Sequence, residues 1–297
     1  MIYSNWMSYI KDDAKLTHIA IPGSHNAGSY GMNALACCQD GDMYEQFKYG
    51  VRYFCVRLNT DKKGVIRLAH GLTNGVSFES VLKDWKKMLN ENDSEFFIFD
   101  VREYYPQTFG PVTFTYKADC AAVDILLEKY IHPSKYAYTD FKDIKDVSIG
   151  DLRKSGKRYI LINYMAGYNQ SVDCPLSGPW DKKLFGTRPE AFIPKNLEYF
   201  ETDNTDGFFW FQTQLTPNLG TELGVKTPRK LNDMMRPHFH KFTDAIADSE
   251  SRLDKANIIA CDFITESYDK SRMILELNAY KGIVKDGLKD EYLNGLY

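Results

Sequence analysis

The chain reads as one α/β domain spanning residues 1–297, an irregular (β/α) barrel. Short apolar runs suited to strands buried on both faces recur along its length, with helical patterns between several of them. No internal repeat, low-complexity tract or Pro/Gly/Ser-rich linker divides the chain. Strands alternating with helices over such a length favour a barrel.

The runs lie at residues 17–21, 53–59, 96–102, 159–164, 208–215 and 257–264. The clearest helix is 77–91 (SFESVLKDWKKMLNE), which puts Phe78, Val81, Leu82, Trp85 and Leu89 on one side. Residues 121–130 and 231–249 are further helical candidates. Barrel active sites sit where the strands end. His25 follows the first run, Arg57 ends the second, and His70 lies beyond a hairpin-like turn at 62–64. Arg102 ends the third run and Asp262 falls late in the last. A barrel sets its first strand beside its last, which would gather these residues on one rim. An open doubly wound sheet would bring some of them together, but would not set the first and last strands side by side.

Composition narrows the function. The net charge of −3 and a pI near 6.1 exclude nucleic-acid binding by bulk electrostatics, while leaving room for a local phosphate pocket. The 14% aromatic content suits core packing, with sugar stacking or membrane contact as the alternatives. The cysteines (Cys37, Cys38, Cys55, Cys120, Cys174, Cys261) form no CxxC pair and no zinc-type spacing, and leave the redox compartment open. No run of 18 apolar residues occurs, so no transmembrane helix is expected. The first residues lack the basic and apolar regions of a secretory leader, which predicts a cytoplasmic protein or a leader outside this sequence.

The chemistry centres on two of the 6 histidines. His25 sits in IPGSHNAG (21–28) and His70 in LAHG (68–71). Paired imidazoles can take a proton from one oxygen and return it to another near neutral pH. That is the minimum equipment for cleaving a phosphodiester without a metal.

Around these histidines the sequence resembles the catalytic X domain of phosphatidylinositol-specific phospholipase C, in its metal-independent bacterial-type branch. The similarity runs from Asn5-Trp6-Met7 through 21–28, 50–58 (GVRYFCVRL), 69–71 (AHG) and 95–102 (EFFIFDVR), and closes at 257–264 (NIIACDFI). The middle matches only in outline, as at 213–217 (TQLTP). The resemblance implies a distorted (β/α) TIM-type barrel. It implies cleavage of phosphatidylinositol, and of glycosyl-phosphatidylinositol anchors as a second substrate, to diacylglycerol and a cyclic inositol phosphate. His25 matches the general base on the inositol 2-hydroxyl, His70 the general acid on the leaving oxygen, and Asp262 the carboxylate behind the base. It also implies an inositol-lipid substrate met in passing at a membrane surface, a monomer, no nucleic acid, and secretion. No cofactor is expected.

No metal is expected either. The calcium-dependent branch carries acidic ligands at the positions of Cys55, Arg57 and Arg102, and a thiol and two guanidiniums do not suit a hard cation. Arg57 matches the arginine that replaces calcium, a planar fork of donors for phosphate. Arg102 stands where that branch has a lysine.

Two positions depart from the pattern. Asn26 stands where an Asp usually supports the second histidine, and Cys55 replaces a strand acid near the arginine. Asp100 lies two residues before Arg102, so both face one side of the strand, where Asp100 could serve Arg57 or His70 or merely neutralise an arginine. Asn163, Tyr164, Trp180, Asp181, Gln212 and Gln214 are candidates for the inositol hydroxyls. Segment 104–111 reads as a packed rim loop, with bilayer contact as its alternative. The competing function is a barrel that binds inositol headgroups without turning them over, which Asn26 and Cys55 keep open. A metal-dependent phosphodiesterase on a similar barrel is disfavoured by Cys55, Arg57 and Arg102.

Overall fold

The computed structural model describes residues 1–103, 107–109, 112–114, 117–163, 176–177, 188–216 and 226–297. Eleven strands are named in chain order: β1 (Ile21–Ser24), β2 (Tyr53–Thr60), β3 (Ile66–His70), β4 (Thr73–Ser77), β5 (Phe97–Glu103) and β6 (Gln107–Phe109). They continue with β7 (Val112–Phe114), β8 (Tyr159–Asn163), β9 (Leu176–Ser177), β10 (Phe208–Gln212) and β11 (Ile258–Cys261). The parallel order is β9-β10-β11-β1-β2-β5-β8, with β3 and β4 joined antiparallel along the far half of β2. This is the curled sheet of a TIM-type α/β barrel, and its first strand lies beside its last.

Alternation along the strands sorts the core into two sets. Phe54, Val56, Phe97, Phe99, Leu161, Phe209, Phe211 and Ile259 pack outward, against helices such as Phe78–Glu91. Tyr53, Cys55, Ile98, Ile160, Ile162, Trp210, Ile258 and Ala260 form the other, inward set. That set continues into Tyr3, Trp6, Met7 and Ile10, which bond at the strand starts: Trp6 Nε1 donates to the Gly50 carbonyl at 3.0 Å. Following the inward parity upward leads to Arg57, Arg102, Gln212 and Asp262, so the polar residues sit at the C-terminal rim.

Several boundaries differ from the sequence expectation. The first strand is not 17–21 but Ile21–Ser24. Residues 15–19 form turns, with His18 N and Ile19 N both bonded to the Lys15 carbonyl. Pro22-Gly23 reads as a breaker, yet Gly23 is needed in the strand: a Cβ there would stand 3.0 Å from Ile258 Cγ2 and 3.2 Å from Tyr53 Cδ1. The helix expected over 231–249 is split into Pro228–Met235, a 3-10 turn Arg236–His238, and His240–Ala247. Pro237 lacks an N–H and crowds the preceding turn, which explains the break. The segment read as a rim loop, 104–111, holds strand β6, which pairs antiparallel with β7 just beyond it; residues 104–106 and 110–111 lie outside the described ones.

The foot of the barrel is tied by a fully buried ion pair. Arg52 Nε and Nη2 reach Glu95 Oε2 at 2.8 and 2.6 Å, and its remaining N–H groups bond the carbonyls of Phe47, Val51 and Tyr3. Removing one partner strands the other charge without water. Glu95→Ala is therefore expected to lose about 3–5 kcal/mol of unfolding free energy, read as a lowered urea midpoint. An unmoved midpoint would show that the pair is dispensable.

Candidate active site

β1 and β11 run in parallel register from Ile21↔Ile258 to Ser24↔Cys261, so the residues that follow them emerge together. His25 N donates to the Cys261 carbonyl at 3.1 Å, fixing the backbone of the histidine. His25 Nδ1 lies 2.7 Å from Asp262 Oδ1, with the two side chains 12% and 7% exposed. A carboxylate only accepts, so Nδ1 carries the ring proton and Nε2 holds its lone pair toward the rim.

Asn26 then turns the chain. Its φ of 46° is left-handed, a conformation that Asn tolerates better than most residues. The turn carries Asn26 Nδ2 to 3.0 Å from His25 Nε2 and 3.1 Å from His70 Nε2. One amide, with two hydrogens, thus spans both imidazoles. His70 ends β3, and its Nδ1 donates to the Ala36 carbonyl at 2.7 Å, leaving Nε2 as acceptor. In this state His70 is neutral. Burial first, and then the positive charge of Arg57, push its pKa down to about 3. Asn26 Oδ1 is buried without a partner among the described residues.

The rim cations differ from each other. Arg57 lines a recess with Asn26, Ser29, Cys55 and His70. Arg102, paired with Arg57 across β2 and β5, is held by Asp100 through contacts of 2.7–3.0 Å and lies 5.1 Å from the Trp210 ring centroid. Asp100, fully buried, also accepts from the Tyr53 hydroxyl at 2.5 Å. Of the roles weighed for Asp100, the bonds described here fit the neutralisation of an arginine. Cys55 lies opposite Asp100 in register, and burial, then the Asp100 charge, push its thiol up to about 11. It is a neutral group and does not stand in for a carboxylate.

Three supports were not among the residues singled out from the sequence. Gln39, fully buried, donates to the His25 and Cys261 carbonyls at 2.8 and 2.9 Å and accepts from Ile264 N at 3.1 Å. It clamps the segments carrying His25 and Asp262. Cys38 places Sγ 3.8 Å from Asn26 Nδ2 and from His70 Nδ1, and its carbonyl accepts from Phe263 N, a residue at φ 48°. Lys270 Nζ reaches the Asp262 carbonyl and Asn232 Oδ1 at 2.6 Å and Glu266 Oε1 at 3.0 Å. Only this last had a signal, the i,i+4 spacing of Glu266 and Lys270.

The proposed hydroxyl contacts are less gathered. Gln212 is buried on β10, where its Oε1 accepts from Gln214 Nε2 at 3.2 Å. Asn163 ends β8, its side chain outside the described ones, and Tyr164, Trp180 and Asp181 lie outside the described residues. What converges is two imidazoles whose Nε2 atoms both accept from one amide, with a guanidinium alongside. Such a set can move a proton across an anionic phosphorus centre.

No family model matches the chain. It is 28% identical over 169 residues to the 1-phosphatidylinositol phosphodiesterase of Staphylococcus aureus (strain Newman), 55% of this chain and 51% of that protein. A protein of the same name from Listeria monocytogenes matches at 28% over 106 residues, 33% of this chain and 32% of the other. The chain thus aligns with about half the length of the curated relatives it matches first. Among solved structures, the phosphatidylinositol-specific phospholipase C of Listeria monocytogenes gives a TM-score of 0.64 at 19% identity, covering 93% of this chain and 98% of that one. A Staphylococcus aureus phospholipase C of the same specificity, solved in work on modulating its membrane binding, gives 0.67 at 19%, covering 93% and 97%. The barrel is the one these proteins share, and the family resemblance drawn from the motifs holds.

The geometry at His70 gives a direct expectation. Its folded pKa lies below the ordinary 6.5, so under pH 6.5 the unfolded chain binds the extra proton and stability falls as pH falls toward 3. NMR titration of the imidazoles should show His70 still neutral at pH 5. A His70 midpoint near 6.5 would contradict the buried, Arg57-opposed environment.

Proposed function

We propose that this chain is a metal-independent phosphodiesterase that cleaves phosphatidylinositol, and glycosyl-phosphatidylinositol anchors, to diacylglycerol and a cyclic inositol phosphate. The observation that carries it is the single amide of Asn26 held between the Nε2 atoms of a carboxylate-backed His25 and of His70, with Arg57 beside them. The names borne by the relatives support the substrate class.

In this reading His25 Nε2 takes the proton of the inositol 2-hydroxyl, and Asp262 steadies the imidazolium that forms. The 2-oxygen attacks phosphorus, and the bond to the diacylglycerol oxygen breaks as His70 Nε2–H gives that oxygen a proton. Arg57 meets the phosphate with its forked donors. His70 is neutral without substrate, so its protonation must come with the phosphate. The anion offsets the Arg57 charge and so makes the imidazole easier to protonate. A half-turn of the Asn26 amide would then present Oδ1 to His70 Nε2–H and release His25 Nε2 to the hydroxyl. Asp100 acts through Arg102, holding it toward the substrate from the neighbouring strand. A brief encounter with the membrane surface as a monomer, without nucleic acid, suits a substrate embedded in lipid.

Vesicles of phosphatidylinositol, followed by the release of soluble inositol phosphate, test this. Turnover is expected to persist in chelator and to fall about 10²–10⁴-fold in His25→Ala. Loss of turnover on chelation would refute the metal-free route. Vesicle binding without turnover would instead favour a headgroup-binding barrel.

A further inference from the structure

Cys38 is a buried thiol beside the reacting groups that the proposed chemistry leaves unused. Its Sγ, one ring nitrogen of His25 and a carboxylate oxygen of Asp262 all lie within 4.8 Å of one another. Thiolate, imidazole and carboxylate are the donors that a tetrahedral zinc ion takes, at about 2.3, 2.0–2.1 and 2.0–2.2 Å. Donors around one such ion stand roughly 3.3–3.8 Å apart, so a modest inward turn of the side chains would gather them. His25 lies at the rim with 12% of its side chain exposed, which gives an ion a way in.

We propose that His25, Cys38 and Asp262 form a site for one thiophilic divalent cation, with water as the fourth ligand, whose binding switches the active site off. The ion would occupy the carboxylate that backs His25 and one of the nitrogens the base needs. The cysteine enters as thiolate and its proton leaves to solvent, so affinity falls as pH falls. With a thiolate among the three donors, the ion must be soft enough to bond strongly to sulfur.

That requirement separates this site from a calcium site. Arg57 lies in the recess beside Asn26 and His70, where its charge opposes a cation. A hard ion would have only one carboxylate among these donors to offset that repulsion. Zinc or cobalt would have a thiolate bond as well. Gln39 adds a reason for rigidity, since it ties the backbone next to Cys38 to both the His25 and Asp262 segments. The donors are thus carried on a fixed frame.

Metal binding stands apart from the proposed reaction, while inhibition rests on it, and the experiment reads the two separately. Chelator-washed protein would be titrated with zinc by calorimetry, and with cobalt by absorption, before any lipid is added. One ion per chain and a thiolate-to-cobalt charge-transfer band are expected, both lost in Cys38→Ser and Cys38→Ala. Calcium should give neither heat nor band. On phosphatidylinositol vesicles, stoichiometric zinc should abolish turnover in the parent, excess chelator should restore it, and the Cys38 variants should resist zinc at least tenfold better. No cobalt–thiolate band in the parent would overturn the site. So would zinc binding of equal strength in a folded Cys38→Ser protein, with near-ultraviolet circular dichroism confirming the fold. A parent that binds zinc at Cys38 but never turns over lipid would leave the site standing and sink the enzymatic reading alone.

Discussion

The parallel pairing of Ile21–Ser24 with Ile258–Cys261 joins residues more than 230 positions apart in the chain, and the site is built on that seam. His25 and Asp262 are the next residue on each strand. Their 2.7 Å contact follows from the register without a long loop to order. A one-residue slip would turn every side chain of β11 to the other face and point Asp262 into the helical layer. Gly23 protects the seam by allowing Ile258 and Tyr53 to close on β1, and Gln39 staples the two strand ends above it.

Electrostatics at the rim is layered on this frame. The two arginines are neighbours across β2 and β5, but Asp100 is committed to Arg102. Arg57 is the charge that bears on His70. In the proposed reaction, a phosphate that relieves Arg57 would also make the neutral His70 easier to protonate. Asn26 fits that arrangement better than a carboxylate would. An aspartate there would stabilise both imidazolium forms at once, whereas a neutral amide lets the two histidines take different protonation states by turning over.

The motifs placed His25, His70, Arg57 and Asp262 on one rim, and strand parity placed Asp100 with Arg102 on one face, because both depend on local periodicity and on where strands end. The partner chosen by Asp100 was not legible. Parity names a face, while the choice among Arg57, His70 and Arg102 is made by side-chain reach, which here runs along β5 to Arg102. Cys38 and Gln39 were invisible for a related reason: their contacts come from a loop folded back over two strand ends, with no periodic trace. The first strand was displaced because Pro22-Gly23 carries the local signature of a turn, and only close packing between β2 and β11 reveals why a glycine belongs there. Pro237, by contrast, marked its own helix break within a pattern otherwise apolar enough to read through.

The central claim is that two imidazoles sharing one amide carry out an internal attack by the inositol 2-hydroxyl. Phosphorus NMR of a phosphatidylinositol reaction followed from its first turnovers tests that claim most directly. The account predicts that the five-membered cyclic inositol phosphate is the first product, with the open monophosphate appearing later or not at all. Open inositol monophosphate formed from the outset, with no cyclic precursor, would mean that water and not the 2-hydroxyl attacks phosphorus, and would contradict the account.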